Sequence, residues 1–236
     1  MGRALNCHGS IVSPDIRDQH ERRTSLSAQR KKADDGRRAA HRPSRRRDII
    51  EAAVAVFAEK GFAEASINDI AQRAKVVQSG IYYHFETKAD LFDAAIEAVY
   101  DSLDAAVEAA RAGHAPGSPE ELRAVIHAGN SWADEHPRAS KMLYSQLPGA
   151  TPRSAQFREE HEARHAAAAF RYLERDDVSA DDSGVNSIND VLTARTLVHL
   201  MISVMPLRLD GGALSRRSAQ ALEVSLQAVG HRIVFD

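Results

Sequence analysis

The sequence predicts an all-α fold in two parts, an N-terminal three-helix unit followed by a larger helical C-terminal part. Apolar residues recur at three- and four-residue spacing along most of the chain, which is typical of amphipathic helices. Capping patterns precede several of these stretches, and no hairpin or βαβ pattern occurs in the sequence. We expect the two parts to occupy residues 44–91 and 92–236, after a disordered basic arm at residues 1–43.

The first predicted helix starts in an arginine-rich run at residues 45–47 and ends at Gly61. Ile50, Val54 and Phe57 form its apolar stripe. Glycine commonly follows the last residue of a helix, because it adopts the left-handed conformation without strain. These features predict one amphipathic helix whose buried face contributes to a small core.

The next two helices are short and joined by a tight turn. Ser66 and Asp69 have the spacing of a capping box, which predicts a helix start at about Ile67. A turn near residues 75–77 separates this helix from another at residues 78–84. Thr87 then begins a second capping pattern, which predicts a long helix through residue 111. Two short helices in this order form a helix-turn-helix, in which the second helix enters the major groove of duplex DNA.

The same region resembles the TetR family of bacterial transcriptional regulators. The resemblance rests on four motifs: residues 57–62 (Phe-Ala-Glu-Lys-Gly-Phe), residues 69–71 (Asp-Ile-Ala), residues 81–85 (Ile-Tyr-Tyr-His-Phe) and Lys88. It implies a cytoplasmic homodimer that binds double-stranded DNA. Two positions depart from the family pattern, and both weaken the short recognition helix. Val77 stands where many relatives have a capping serine, and Gly80 stands where threonine, serine or alanine is common.

The resemblance also implies roles for individual residues. Asn68 and Gln78 would face base edges, because glutamine can pair with adenine through two hydrogen bonds. A second set of residues would contact phosphates and fix the position of the protein along the DNA. These residues are Ser66, Ser79, Tyr82, Tyr83, His84 and Lys88. Alternatives stay open: the tyrosines as core aromatics, His84 as a residue that satisfies helix-end carbonyls, and Lys88 as a solvated charge.

Charge is distributed unevenly along the chain. The formal net charge is −2, but residues 1–90 carry 17 Lys and Arg against 12 Asp and Glu, and the remainder carries 14 against 21. A basic N-terminal part fits a DNA-facing domain. Arg46 and the neighbouring arginines are candidates for contact with the phosphate backbone or a minor groove. The alternatives are a solvated tail or an upstream start codon that is not used.

Composition argues against a disulfide-bonded secreted protein and against a membrane protein. Cys7 is the single cysteine, so no intrachain disulfide can form, which suits a reducing cytosol. The N-terminus has no signal-peptide pattern, and we expect no membrane-spanning segment. The sequence therefore favours a cytoplasmic protein without a membrane partner.

The sequence of the C-terminal part predicts helices at residues 87–111, 119–135, 151–174, 188–209 and 214–233, and a short helix that begins at residue 137. The helix at 188–209 is apolar nearly all round, so we expect it to be buried on several sides. Together with the last helix it is the candidate dimer interface, as the resemblance also implies. The predicted interface residues are Leu200, Val204, Leu222, Leu226 and Val229, with closure of the monomer core as the alternative.

The resemblance implies a small-molecule pocket in the same part of the chain. The candidates are large or polar residues on apolar helices, and ordinary core packing is the alternative for each. They are Trp132, Tyr144, Phe157, His161, His165, Tyr172, His199 and Met201. An effector that prefers the DNA-incompetent state would release the DNA.

One motif suggests a different class of protein. His161, Glu162 and His165 match H-E-x-x-H, a zinc-hydrolase pattern with the glutamate as general base. No third ligand follows at metalloprotease spacing, so we expect no enzyme, no metal and no cofactor, with a non-catalytic metal or ligand site on the face of Phe157, His161, His165 and Tyr172 as the alternative. The function predicted is a repressor that an effector releases from a palindromic operator. An activator, or a regulator without an effector, is the nearest alternative.

Overall fold

The computed structural model describes residues 45–145, 150–173, 188–208, 213–214 and 216–235. Within these ranges the chain is helical and has no strand. Its contacts place the described residues from 48 onward in one compact unit and residues 45–47 in another. The predicted arm at residues 1–43 lies outside the described residues. The helices are α1 (residues 45–64), α2 (Ile67–Ala74), α3 (Gln78–Tyr82), α4 (Lys88–Arg111), α5 (Pro119–Glu135), α6 (Pro137–Ser145), α7 (Pro152–Ala169), α8 (Ile188–Arg208) and α9 (Ala219–Phe235), with a 3₁₀ turn at Phe170–Tyr172.

Capping explains where the helices around the turn begin. Ser66 accepts a hydrogen bond from the backbone N–H of Asp69, whose carboxylate accepts from the Ser66 backbone N–H at 3.0 Å. Thr87 and Asp90 form the same reciprocal pair at the start of α4. Both capping boxes confirm the pattern seen in the sequence, and each satisfies backbone donors that the first turn leaves unpaired. Gly61 has a φ of 76°, as expected for a terminating residue, but one more turn follows to residue 64.

A small aromatic core holds α1 to α4 together. Phe57 is fully buried, and its ring meets the ring of Phe92 edge-on with centroids 5.0 Å apart. Phe62 contacts the same Phe92 ring at 5.0 Å. Ile70 of α2 and Ile81 of α3 are fully buried in this cluster. The short helices therefore keep their places because each inserts one large apolar side chain into a common core.

The predicted boundary between the two parts lies at residue 91, but helix α4 runs through both parts without a break. Its first turns pack in the core with Phe57, and the same continuous cluster extends to Trp132 of α5 and Met205 of α8. Helix α4 also packs against α5, α6 and α7. Packed apolar side chains therefore run without a break from the helix-turn-helix to α5 and α8.

A second apolar cluster joins α5, α8 and α9. Gly230 of α9 permits close contact, since a Cβ there would lie 3.1 Å from Ile126 Cδ1 and 3.4 Å from Leu197 Cδ1. The predicted burial of α8 on several sides is wrong. Val191, Leu192 and Leu207 are 39%, 58% and 41% exposed. Helix α8 thus exposes large apolar side chains that none of the described residues covers.

The expectation that no segment could span a membrane also needs correction. Residues Asp190–Arg208 are long and apolar enough to cross a bilayer by length and composition, with a mean hydropathy of 1.3, and 17% of that window is buried. Soluble proteins contain core helices of the same kind. Helix α8 packs against α6, α7 and α9, so this stretch is part of the helical assembly.

Three helix ends differ from prediction. Helix α3 ends at Tyr82 rather than residue 84, and α7 ends at Ala169. Helix α9 begins at Ala219 rather than 214, where the Ser218 hydroxyl accepts a hydrogen bond from the Ala221 N–H at 3.2 Å. Side-chain caps of this kind decide a boundary that apolar periodicity leaves undefined.

Candidate nucleic-acid interface and internal cavity

Helix α3 is held in place by one buried residue and a few backbone bonds. Ile81 is fully buried against the core. Val77, the residue before the helix, makes no side-chain capping bond. A Cβ at Gly80 would have room, with Val76 Cβ at 3.8 Å. The expectation that Val77 leaves this helix without a side-chain cap is therefore confirmed, and its position depends on packing against α2.

Two tyrosines and a glutamine define the outer face of α3. Tyr82 is 52% exposed and Tyr83 is 64% exposed, so neither is a core aromatic. Gln78 is exposed, and its Nε2 donates a hydrogen bond to Asn68 Oδ1 of α2 at 3.1 Å. The predicted base-reading pair is thus brought together across the turn, with one side chain orienting the other.

Three of the remaining predicted phosphate contacts are at least partly exposed. Ser79 is exposed, and His84 is partly exposed with its ring 5.1 Å from the Tyr83 ring. Arg46 lies in the first turn of α1, in the other compact unit, and is exposed. These residues keep their predicted roles as proposals.

Two predicted phosphate contacts already have hydrogen-bond partners within the chain. The Lys88 ammonium donates to the backbone carbonyls of Phe62, Ala63 and Ala65 at 2.8, 3.2 and 3.0 Å. An ammonium has three protons, and all three are used within the chain. The Ser66 hydroxyl donates to Asp69 Oδ2 at 2.7 Å. Both side chains therefore stabilise the ends of helices instead of being available to a phosphate.

Ion pairs fix α2 on α1. Arg73 donates two hydrogen bonds to the two carboxylate oxygens of Glu59, at 2.7 and 2.6 Å. Lys60 lies 2.7 Å from Asp69 Oδ1. The Lys60 contact, together with the bonds from Ser66, lowers the pKa of Asp69 to about 2. Such pairs are exposed and individually weak, so they add little to the apolar packing that holds α2.

The C-terminal part encloses a cavity between α4, α5, α7 and α8. Its volume is about 100 Å³, below the range of about 300–1,000 Å³ typical of small-molecule sites, so a drug-sized effector would require the surrounding helices to move apart. Most of its lining is apolar, with Leu103, Ile126 and Met205 among the walls. A second cavity of about 190 Å³ adjoins it, and Tyr144, His161 and Ile202 line both.

Buried polar groups form one end of the first cavity. Arg111 and Tyr172 are 8% and 5% exposed, and both line it. Arg111 Nε and the Tyr172 hydroxyl are buried without a hydrogen-bond partner. The fully buried Glu121 lies 4.0 Å from Arg111 Nε and accepts a bond from Arg171 at 3.1 Å. Burial raises the pKa of Tyr172 to about 12, so its hydroxyl keeps its proton at neutral pH.

The predicted pocket residues divide into two groups. Tyr144, His161, His165, Tyr172 and Met201 line the first cavity. The other three do not line it. Trp132 is buried and donates its indole N–H to Ser102 at 3.0 Å, Phe157 packs beneath Arg153, and His199 is exposed.

Two residues at the cavity were missed at the sequence level. Arg111 continues the apolar stripe of Leu103 and Val107 at four-residue spacing, and an arginine in such a stripe is a usable signal for a buried polar group. Asp104 is the second. Its side chain reaches His161 and His165 across 57 or more residues of sequence, and no local pattern connects them.

The predicted interface residues are also divided. Leu222 and Leu226 are buried within the chain, so their prediction as contacts between subunits is corrected to core packing. Leu200 and Val204 are partly buried against the same cluster. Val229 is 39% exposed, and Val224 on the same helix, which was not predicted, is 61% exposed.

Comparisons with known proteins agree with this geometry. Residues 49–95 match the profile described as bacterial regulatory proteins, tetR family. Over 48 residues the chain is 46% identical to the "Probable acrEF/envCD operon repressor" of Escherichia coli K12, covering 20% of this chain and 22% of that protein. Over 56 residues it is 30% identical to the biofilm operon icaADBC HTH-type negative transcriptional regulator IcaR of Staphylococcus aureus Newman. This alignment covers 24% of this chain and 30% of that protein. The alignments thus span less than a third of these relatives.

Solved structures share the whole fold at low identity. A TetR-like transcriptional regulator from Rhodococcus sp. RHA1 matches with a TM-score of 0.64 and 21% identity, over 80% of this chain and 94% of that one. The transcriptional regulator FadR from Bacillus subtilis was solved in complex with stearoyl-CoA. It matches with a TM-score of 0.63 and 18% identity, over 80% of this chain and 97% of that one.

The fold and the exposed α3 define a helix-turn-helix protein with a helical C-terminal part. Residues 49–95 are thus similar in sequence to the tetR family of bacterial regulatory proteins, and the described fold is similar to that of solved TetR-like regulators.

Proposed function

We propose that this protein is a DNA-binding transcriptional repressor that acts as a homodimer on a palindromic operator and is released by a small-molecule effector. The observation that carries the proposal is the exposed α3 face, with Gln78 held by Asn68 beside two exposed tyrosines. The related E. coli and S. aureus proteins, named as repressors, match this same region. The proposal places the protein in the cytoplasm.

The Gln78–Asn68 contact leaves Gln78 able to read adenine. One proton of Gln78 Nε2 is given to Asn68. The second proton and Oε1 are then a donor and an acceptor in one plane, which matches N7 and N6 of adenine. Asn68 would act by orienting the glutamine amide. Arg46, Ser79, Tyr82, Tyr83 and His84 would contact phosphates.

The exposed apolar face of α8 and α9 supports the homodimer. Val191, Leu192, Leu207, Val224 and Val229 are each at least 39% exposed. Apolar side chains grouped in this way mark protein interfaces. Two recognition helices must also be held about 34–36 Å apart to read a palindrome. Val224→Glu should shift the sedimenting species from dimer to monomer, whereas Ala105→Glu on the exposed side of α4 should not. A monomeric wild-type chain would contradict the proposal.

The cavity supports an effector of mixed character. Its walls are apolar, and Arg111 and Tyr172 offer unpaired donors at one end. Unpaired buried donors carry a free-energy cost that a ligand acceptor removes. We infer an apolar effector with one acceptor group, such as a carboxylate or a thioester. The stearoyl-CoA bound by the similar FadR makes acyl-CoA and free fatty acids the first compounds to test.

The proposal includes no enzymatic activity. The zinc-hydrolase alternative, with Glu162 as base, has no support among the relatives, which are named as regulators. Glu162 lies 4.0 Å from Arg158 instead of standing alone as a base.

The test of DNA reading begins with selection of duplexes from a random library by the purified chain. Binding of the selected and of a scrambled duplex is then measured for Gln78→Ala, Asn68→Ala and the control Gln72→Ala, an exposed glutamine on α2. Gln78→Ala should weaken selected binding by about 10- to 100-fold, the equivalent of 1–3 kcal/mol, and leave scrambled binding nearly unchanged. Asn68→Ala should show the same pattern more weakly. Equal losses on both duplexes would contradict a reading role, and failure to enrich any duplex would overturn the proposal.

The effector test uses the same duplex. A compound that binds the cavity should raise the melting temperature of the chain and lower its affinity for DNA. Tyr172→Phe, which removes only the hydroxyl, should weaken compounds with an acceptor group and spare purely apolar ones. His199→Ala, on an exposed surface, is the control. A compound whose effect is identical in Tyr172→Phe would place its polar group elsewhere.

A further inference from the structure

Three side chains from two helices converge beside the cavity. His161 and His165 lie one turn apart on α7, and Asp104 faces them from α4. One ligand atom from each residue lies within 4.8 Å of the other two. All three are largely buried, with side chains 10%, 13% and 15% exposed in that order. This arrangement gives the H-E-x-x-H histidines a third partner that the sequence did not indicate.

The distances suit a small divalent cation. His165 Nε2 lies 2.8 Å and His161 Nδ1 lies 3.0 Å from the same oxygen, Asp104 Oδ1. Zinc binds imidazole nitrogen and carboxylate oxygen at about 2.0–2.2 Å, which in a tetrahedral site separates neighbouring ligand atoms by roughly 3.4 Å. Small side-chain movements would open the cluster to that spacing without any change in the backbone.

Hydrogen bonding within the chain does not account for all of the cluster. His165 Nε2 is within hydrogen-bond distance of Asp104 Oδ1, and His161 Nδ1 lies 3.0 Å from the same oxygen at an ion-pair distance but outside hydrogen-bond geometry. Buried polar atoms are nearly always well paired, so His161 Nδ1 is a buried nitrogen whose bonding within the chain is incomplete.

Charge around the cluster is compatible with a cation. Arg164 is ion-paired with the other oxygen of Asp104, Oδ2, and its side chain is 60% exposed. Oδ1 is therefore the oxygen that faces the histidines.

We propose that Asp104 Oδ1, His161 Nδ1 and His165 Nε2 bind one divalent transition-metal ion of the zinc class. Two imidazoles and one carboxylate form a ligand set that such ions accept, with a fourth position left for a further oxygen. Both histidines line the first cavity, so that position faces the space where an effector would lie. The ion would join α4 to α7. The inference does not depend on DNA binding.

The test measures metal binding directly. The tag-free full-length chain is stripped with EDTA, exchanged into chelator-free buffer and titrated with Zn²⁺ by calorimetry. Co²⁺, which reports its coordination by visible absorption, is titrated in parallel. The variants are His161→Ala, His165→Gln and Asp104→Asn, each checked for folding by circular dichroism. His199→Ala, another histidine on an exposed surface, and Cys7→Ser, the single thiol, are the controls.

The expected result is one ion per chain in the wild type and in both controls, with a raised melting temperature. Loss of a residue that only orients a ligand weakens metal sites by about 10- to 100-fold, so loss of a ligand itself should weaken binding by about 100-fold or more. Absence of saturable binding by the wild type would overturn the proposal. So would binding that persists in every folded ligand variant, or that disappears in Cys7→Ser. None of these readouts uses DNA, so they are separate from failure of the repressor proposal.

Discussion

Replacement of Lys88 by methionine tests whether this lysine holds the protein or the DNA. Methionine keeps most of the aliphatic stem and removes the ammonium. The structure predicts that three backbone carbonyls, at Phe62, Ala63 and Ala65, then lose their donor. The ammonium also lies 4.7 Å from the centre of the Phe62 ring. The effect should therefore appear in the stability of the free protein.

The magnitude follows from these contacts. A hydrogen bond to a charged group contributes about 1.5–3 kcal/mol. Two of the three acceptors are partly buried and one is exposed, so water replaces part of the loss. The ring contact adds about 0.5–1 kcal/mol. We expect about 3 kcal/mol of destabilisation in total, which for a chain of this size lowers the melting temperature by roughly 6–12 °C.

The assay combines urea unfolding, followed by circular dichroism, with DNA binding at several salt concentrations. Each phosphate contact contributes about −0.9 to the slope of log affinity against log salt. Lys88→Met should leave that slope unchanged at temperatures where the variant is folded. The matched control is Lys75→Met, an exposed lysine, for which we expect a stability change within about 0.5 kcal/mol. A stable Lys88→Met protein whose salt slope is shallower by about one unit would refute this reasoning and restore the phosphate contact.

Three further predictions concern stability. Gly117→Ala should destabilise by about 2–4 kcal/mol, because Gly117 has a φ of 76° and a Cβ there would lie 2.4 Å from the Arg171 carbonyl oxygen; Gly113→Ala, whose Cβ would meet nothing closer than 4.0 Å, is the control in urea unfolding. Phe57→Ala should cost about 3–5 kcal/mol in the same assay, since the ring is fully buried, and a loss below 1 kcal/mol would show that the aromatic core is loosely packed. Tyr172 has a raised pKa of about 12, so its contribution should be intact below pH 10 and lost as the pH rises from 10 to 12; unfolding measured across that range should show a smaller loss in Tyr172→Phe.

Local chemistry accounts for the parts of the fold that the sequence predicted well. The Ser66–Asp69 and Thr87–Asp90 boxes act within one helical turn, so their spacing alone predicts where α2 and α4 begin. The exposure of Tyr82 and Tyr83 follows in the same way, because Ile81 occupies the one inward position of a five-residue helix. Predictions of this kind need no knowledge of distant residues.

The functional roles of Ser66 and Lys88 show where sequence reasoning was insufficient. Family resemblance assigned both to phosphate, but a side chain has a limited number of protons, and which acceptor receives them depends on which carbonyls lie nearby. Lys88 meets carbonyls 23 to 26 residues away. Helix α8 presents a similar problem, since its apolar residues predict burial but do not show which side the other helices cover.

The sequence by itself determined that this protein is helical, where its short helices begin, and which residues face outward on the recognition helix, because periodicity and capping are interactions within a few residues. Only the tertiary structure decided that α4 extends a single core from the helix-turn-helix into the cavity, that Arg111 and Tyr172 lie unpaired at its end, and that Asp104 meets two histidines. Those arrangements join residues far apart in the chain. They arise from how apolar faces pack against one another, which local patterns restrict but do not specify.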